Sequence, residues 1–237
     1  MENVDGVLLV DKDPDMTSHD VVSVARRTLG QKKIGHCGTL DPMATGLLIL
    51  TLGRGTKIQD LLMAEDKEYV GTVRLGEETT TQDKQGELVR SKDVPELDEQ
   101  AILSVLEDFT GDFHQTPPMV SAIKKDGVPL YKLARQGKEV KREPRLVHVY
   151  DYELTSLNLP EFDFRVVCSK GFYVRTYAHE IGMQIGCGAH LSSLRRTKSG
   201  KFSAEGAITF HELKNGTRES VAERALSLSE VSKLRGV

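Results

Sequence analysis

Twelve residues constrain this chain more than any other stretch: Gly35-His36-Cys37-Gly38-Thr39-Leu40-Asp41-Pro42-Met43-Ala44-Thr45-Gly46. Three glycines and a proline cannot continue a helix or a strand interior, so the segment is a shaped loop. The run Leu47-Leu48-Ile49-Leu50-Thr51-Leu52 that follows is apolar and short, as a buried strand is. A loop pinned to a buried strand is a rigid place to hold one side chain. Asp41 is the only carboxylate in it, and His36 the only other group that titrates near neutrality. An Asp-Pro pair is also ordinary turn chemistry, because Asp caps turns and proline fixes the next φ. Spacing alone leaves both readings open.

The rest of the composition narrows the class. With 237 residues, 38% apolar and 28% charged, the chain reads as a soluble globular protein of one large domain or two small ones. No run of 18 apolar residues exists to span a membrane, and the first residues lack the basic start and apolar core of a secretory signal. Cys37, Cys168 and Cys187 are odd in number and widely spaced, which fits reduced thiols and a cytoplasmic protein. Cys187-Gly188-Ala189-His190 has no second pair at ligand spacing, so no metal site is expected. The net charge of −3 hides a dipolar chain. Residues 77–112 hold eleven acids and three bases, whereas residues 124–145 hold eight bases and three acids. The second run is a solvated face or a surface for phosphates.

In chain order, Gly6–Val10 reads as a first strand. Thr17 and Asp20 form a capping box for a helix that buries Val21, Val22, Val24, Ala25 and Leu29 and stops at Gly30. Gly53-Arg54-Gly55-Thr56-Lys57 lacks the phosphate-loop spacing and reads as a turn into a short helix over about 56–63, so no nucleotide cofactor is implied. Lys67–Gly76 alternates as a half-buried strand, with Tyr69, Gly71, Val73 and Leu75 on one face. Residues 77–100 read as a surface excursion, and a helix over about 98–109 follows. Pro117-Pro118 forces extended backbone, Asp126-Gly127 signals a hairpin turn, and Leu130–Gly137 reads as a short helix. Strands over about 145–157 and 161–169 precede a helix with Val174, Ala178, Ile181 and Ile185 as its buried stripe. Arg175 in the first turn opposes the helix dipole, which points to a role other than helix stability. A last helix is expected near 217–227.

The loop wording, Gly-His-Cys-Gly-Thr-Leu-Asp-Pro-Met-Ala-Thr-Gly followed by Leu-Leu-Ile-Leu, closely resembles the signature of the TruB family of tRNA pseudouridine synthases. Further blocks agree in order over about residues 4–215: the Lys12 strand end with Thr17-Ser18, Lys67-Glu68-Tyr69, and Pro117-Pro118-Met119 with Ser121-Ala122. Leu130-Tyr131-Lys132-Leu133-Ala134-Arg135-Gln136-Gly137, Lys170-Gly171-Phe172-Tyr173-Val174-Arg175 and Leu191-Ser192-Ser193-Leu194-Arg195-Arg196-Thr197 complete the set. The resemblance implies Asp41 as the nucleophile, His36 as an RNA contact near the target base, and Tyr69 stacked on that base. It pairs Arg175 with Asp41, sets Tyr173 beside the base, lines the uracil pocket with Leu194 and turns Lys12 toward the cleft. A basic arm over about 112–145 would lie on the RNA, with Lys132, Arg135 and Lys138, and also Arg195 and Arg196, as backbone contacts.

The implied fold is α/β (α+β), the pseudouridine-synthase architecture: a large mixed, mainly antiparallel sheet flanked by helices, with a central active-site cleft, in one catalytic domain over 1–237. The implied reaction converts uridine 55 in the T-arm loop of tRNA to pseudouridine without cofactor or metal. No protein partner is implied, and a monomer is expected. A carboxylate suits the chemistry because it can bond to carbon and leave again, at C6 of the base or C1′ of the sugar. The target must leave its stack, and an aromatic platform serves that. Most relatives continue into a small RNA-binding PUA domain, for which this sequence leaves no room after residue 227. A glycoside hydrolase would need a second carboxylate flanking the bond. The other alternative is a non-catalytic tRNA-binding or folding module, against which the Asp41, Tyr69 and Arg175 set speaks.

Overall fold

A computed structural model describes residues 3–236 except 122, 126, 135 and 139, with the side chains of all of these but 124, 125 and 131. The elements run β1 (Gly6–Lys12), α1 (Ser18–Leu29), β2 (Ile34–Cys37), β3 (Thr45–Leu52), α2 (Gln59–Met63) and β4 (Lys67–Leu75). Then come β5 (Glu77–Thr79), β6 (Leu88–Ser91), α3 (Glu99–Asp108), β7 (Gly111–Gln115), β8 (Lys124–Lys125), β9 (Val128–Pro129) and α4 (Leu130–Ala134). The chain continues through β10 (Arg145–Asn158), β11 (Glu161–Cys168), α5 (Val174–Ile185), β12 (Ala189–Ser199), β13 (Phe202–Ser203) and β14 (Ile208–Thr209). It closes with α6 (Phe210–Asn215), α7 (Arg218–Ala222) and α8 (Leu228–Arg235). The class is mixed α/β with mainly antiparallel pairing, as the sequence implied.

The elements form two compact units, Met1–Tyr69 with Arg195–Val237, and Val70–Leu194. The division falls within β4 and within β12. In the first unit β1 and β3 pair antiparallel, with Leu8 opposite Leu50, and β2 pairs with the other edge of β3 over Ile34–Cys37. The end of β12 runs parallel to β3, with Arg196 opposite Gly46. β3 is buried on both faces, so its sequence is continuously apolar rather than alternating. Its core holds Val7, Cys37, Leu47, Ile49, Leu62 and Phe202. α1 carries the capping box read from Thr17 and Asp20 and ends at Gly30 in the left-handed conformation, φ 63°.

In the second unit β11 pairs with β10 and β10 with β7, both antiparallel, with Arg145 opposite Gln115. α3 and α5 cover this unit through an aromatic core in which Tyr177 meets Phe109, Phe164 and Phe172 with ring centroids 5.4–5.9 Å apart. β8 and β9 pair around residues 126–127, as the turn signal there predicts, while Asp126 itself lies outside the described residues.

Five expectations are corrected. The glycine-rich stretch is a loop only over residues 38–44, because its first three residues belong to β2 and pair with 49–51 of β3, and its last two belong to β3 itself. Residues 77–100 are not only a surface excursion: β6 is exposed, but Asp83 in the turn before it is 4% exposed. Gly53–Ile58 is a turn of 3-10 helix ahead of α2. The last helix is two, α7 and α8, because the backbone of Leu226 leaves helical geometry to exchange hydrogen bonds with Val7 (2.7 and 2.9 Å). The α5 stripe is displaced toward the helix start, where Val174–Ala178 are all buried and Ile185 is not.

The Tyr177 hydroxyl is buried with no hydrogen-bond partner among the described residues. Tyr177→Phe is therefore expected to leave the urea-unfolding free energy unchanged or raise it by up to about 1 kcal/mol, because no bond is lost and an unpaired polar group leaves the core. A loss of more than about 1 kcal/mol would contradict this.

Candidate active site

The Asp41 loop is strapped from both flanks by groups of the first unit. From the N-terminal side, the Lys12 amino group is fully buried and donates to the carbonyls of Asp13, Met16 and Pro42 at 2.8, 2.9 and 3.2 Å. The Asp15 N–H donates to Pro42 O at 2.8 Å. Ser18, at the start of α1, accepts the Leu40 N–H at 2.9 Å and returns its hydroxyl to Leu40 O at 3.3 Å. Leu40 and Pro42, the two neighbours of Asp41, are thus both tied to the β1–α1 connection. Burial lowers the Lys12 pKa to about 8, and the carboxylate of Asp41, followed by those of Asp13, Asp15 and Asp20, pulls the other way.

From the C-terminal side, Arg196 on β12 is 1% exposed and donates from Nε to Leu47 O (2.7 Å) and from Nη2 to Gly38 O (3.1 Å). Gly46 has φ 95°, and a Cβ there would lie 2.3 Å from Arg196 O. Only glycine allows that approach. A guanidinium so enclosed is closed to a phosphate, so Arg196 holds the loop instead of contacting RNA from outside. Arg195 makes two bonds to Asp11, at 2.9 and 2.6 Å, and is 39% exposed.

His36 stands edge-on to His19, with ring centroids 5.5 Å apart. Burial, then the charges of His19 and Arg196, push its pKa down to about 4, so the ring is neutral at pH 7. A cavity of about 270 Å³ opens beside it, walled by His19, Arg26, Thr39, Gln59 and Met63. The neighbouring Cys37 thiol is pushed up to about 12 by burial and is inert as a nucleophile. Tyr69, 9% exposed on β4, follows another buried amine: Lys67 donates to Met63 O at 2.7 Å and to Glu65 O.

In the second unit the start of α5 is the organised point. Arg175 is 3% exposed and donates to Thr81 O and Val120 O, each at 2.8 Å, with Nε 3.6 Å from Asp83. Asp83 accepts from Thr81 Oγ1 (2.6 Å) and Gln85 N–H (3.0 Å). Tyr173, the residue before α5, is held through its backbone by the Gln115 amide. Leu194 is 8% exposed on β12. Lys132 and Lys138 are exposed, and Arg135 lies outside the described residues.

The profile of the TruB family pseudouridylate synthase N-terminal domain matches residues 26–174, and that of the tRNA pseudouridylate synthase B C-terminal domain matches residues 175–232. The chain belongs to the TruB family of pseudouridylate synthases. A TruB-family relative from Opitutus terrae, named tRNA pseudouridine synthase B, is 52% identical over 98% of this chain and 92% of its own. One of the same name from Syntrophotalea carbinolica is 47% identical over 96% of this chain and 74% of its own. Among solved structures, a chain of a Cbf5-Nop10-Gar1 complex is 30% identical with a TM-score of 0.74, over 98% of this chain and 62% of that one. A chain of an H/ACA RNP bound to a substrate RNA containing 2′-deoxyuridine is 28% identical with a TM-score of 0.70, over 97% and 61%.

Of the candidate residues, Lys12, His36, Asp41 and Arg196 gather around one loop of the first unit, and Tyr173 and Arg175 lie at one helix start of the second. Sequence reasoning missed Ser18, Asp83 and Gln115. Asp83 was hidden in an acidic run, and its only signal was the Thr-rich turn before it. Ser18 read as helix-cap chemistry, and Gln115 carried no signal beyond the prolines after it.

Between pH 6.5 and 4 the unfolded chain binds a proton at His36 that the folded chain does not, so stability falls as pH drops through that window. Lowering the pH from 6.5 to about 4.5 should cost the wild type about 2 kcal/mol more unfolding free energy than His36→Gln in paired urea titrations. Equal losses would contradict a buried neutral imidazole.

Proposed function

We propose that this protein isomerises uridine 55 in the T-arm loop of tRNA to pseudouridine, with Asp41 as the nucleophile acting on a uridine flipped out of its stack. The observation that carries the reading is the Asp41 loop: both neighbours of the carboxylate are hydrogen-bonded to buried groups, so the side chain projects from a fixed backbone. Transfer RNA as the substrate is supported by the names of the relatives.

The reaction is balanced within one nucleotide. The N1–C1′ bond breaks, the base turns, C5 bonds to C1′, the C5 proton is lost and N1 ends protonated. A carboxylate held in place serves as the nucleophile because it can bond to carbon and then leave. A fixed backbone supplies the orientation that converts binding into rate. Tyr69 is the aromatic platform for the flipped base; Tyr173 and Leu194 are assigned to substrate binding and Arg175 to the catalytic set. The neutral His36 ring and the adjacent cavity suit a nucleotide next to the target, by stacking and hydrogen bonding rather than by charge. Lys132, Arg135, Lys138 and Arg195 supply backbone contacts, a role in which each lost phosphate contact weakens the salt dependence of binding.

The test is tritium release from C5-labelled uridine in a tRNA transcript. The wild type should turn over, and Asp41→Asn should bind the transcript within several-fold while losing at least about 10³ in rate, because the amide keeps the shape and not the nucleophilicity. Turnover by Asp41→Asn above a trace contradicts the assignment. A wild type that binds tRNA and releases no tritium favours a binding or folding module.

A further inference from the structure

Among the described residues, each other helix of eight or more residues starts on a side chain that caps it: Thr17 for α1, Asp98 for α3 and Ser227 for α8. α5 does not. Its first flanking residue is Tyr173, in extended geometry (φ −108°, ψ 104°), with no capping bond from its own side chain. The backbone of that flanking residue is held instead from 58 residues away. Gln115, at the end of β7, is 1% exposed, and its amide grips the Tyr173 backbone as a neighbouring strand would. Oε1 accepts the Tyr173 N–H at 2.8 Å, and Nε2 donates to Tyr173 O at 3.2 Å. That carbonyl also accepts the first helical bond, from Tyr177 N–H at 3.0 Å.

Two observations give this clamp more than a packing role. Tyr173 and Arg175 flank the residue at which the helix begins, so the direction in which both side chains leave is set by the Tyr173 backbone. The segment that follows Gln115 also reaches Arg175, whose Nη2 donates to Val120 O at 2.8 Å. One stretch, residues 115–120, therefore holds the tyrosine by a side chain and the arginine by a backbone carbonyl.

We propose that Gln115 is a positioning residue for the isomerisation, acting through the Tyr173 backbone to orient Tyr173 and Arg175. The proposal rests on the functional reading given above. Both halves of the amide are needed: the oxygen alone would fix the N–H, and the donor alone fixes the carbonyl. Gln115→Glu separates them at nearly constant shape. In that variant an ionised carboxylate accepts from the Tyr173 N–H but repels the carbonyl, whereas the protonated acid regains a donor. Burial raises a carboxyl pKa, which brings this exchange into an accessible pH range.

The experiment is single-turnover tritium release from C5-labelled tRNA transcript by wild type, Gln115→Glu and Gln115→Met, at about pH 6 and about pH 8.5. Transcript affinity and melting temperature are measured on the same samples. Relative to wild type at the same pH, Gln115→Glu should be slower by at least about tenfold at the higher pH and recover most of that rate at the lower. Its affinity should stay within about threefold, because an orientation defect falls on the chemical step. Gln115→Met, which restores neither bond, should be slow at both pH values. If Gln115→Met does not fold, the two pH values of Gln115→Glu decide alone. The proposal is overturned if Gln115→Glu keeps wild-type rate at both pH values with only its melting temperature lowered, or if it is equally slow at both. A wild type that releases no tritium contradicts the functional reading and the proposal with it; an active wild type with an indifferent Gln115→Glu overturns the proposal alone.

Discussion

Buried cations bonded to backbone carbonyls hold this structure in shape. Lys12, Lys67 and Arg196 in the first unit and Arg175 in the second are all under a tenth exposed, and each donates to at least two main-chain oxygens. Removing a charge from water is costly unless hydrogen bonds replace the hydration. Most of these oxygens lie on loops or helix ends, where carbonyls are left over because no ladder takes them; Leu47 O, on β3, is the exception. The two needs are complementary. A loop rich in glycine cannot fix itself, and a buried ammonium or guanidinium cannot stand alone.

The consequence for chemistry is a carboxylate on a backbone that is already set. Lys12 and Ser18 hold Pro42 and Leu40 on either side of Asp41, Arg196 holds Gly38 and Leu47 further out, and Gly46 lets β12 approach. In the proposed role of nucleophile, a carboxylate placed in this way loses little freedom on reaching its transition state. The same device recurs at Lys67, two residues before Tyr69. The sequence spends charged side chains on positions that read as solvent-facing or phosphate-binding, and it hides them.

That is also where legibility in the sequence ended. The capping box of Thr17 and Asp20, the Gly30 stop, the buried strand β3 and the loop before it were readable because their causes lie within a few residues. The last helix was misread because its break depends on Val7, more than two hundred residues earlier in the chain. Arg196 read as a surface cation and Asp83 as one acid in an acidic run, since burial is decided by strands that arrive from elsewhere. Gln115 is the sharpest case: an amide with no local pattern takes its meaning from Tyr173. Motif wording located the candidate site residues, while the groups that hold them emerged only from tertiary contacts.

The most direct measurement of the account is hydrogen exchange over residues 38–46 in Lys12→Met, taken with single-turnover tritium release on the same preparation. Removing the ammonium while keeping the stem should free Pro42 O and its neighbours. Amides of the loop are then expected to exchange at least about tenfold faster and the rate to fall by about a hundredfold, with RNA affinity unchanged, because a small misplacement of a reacting group costs that much. A loop that loosens while the rate stays at the wild-type value would contradict the claim that a pre-set Asp41 backbone drives the reaction.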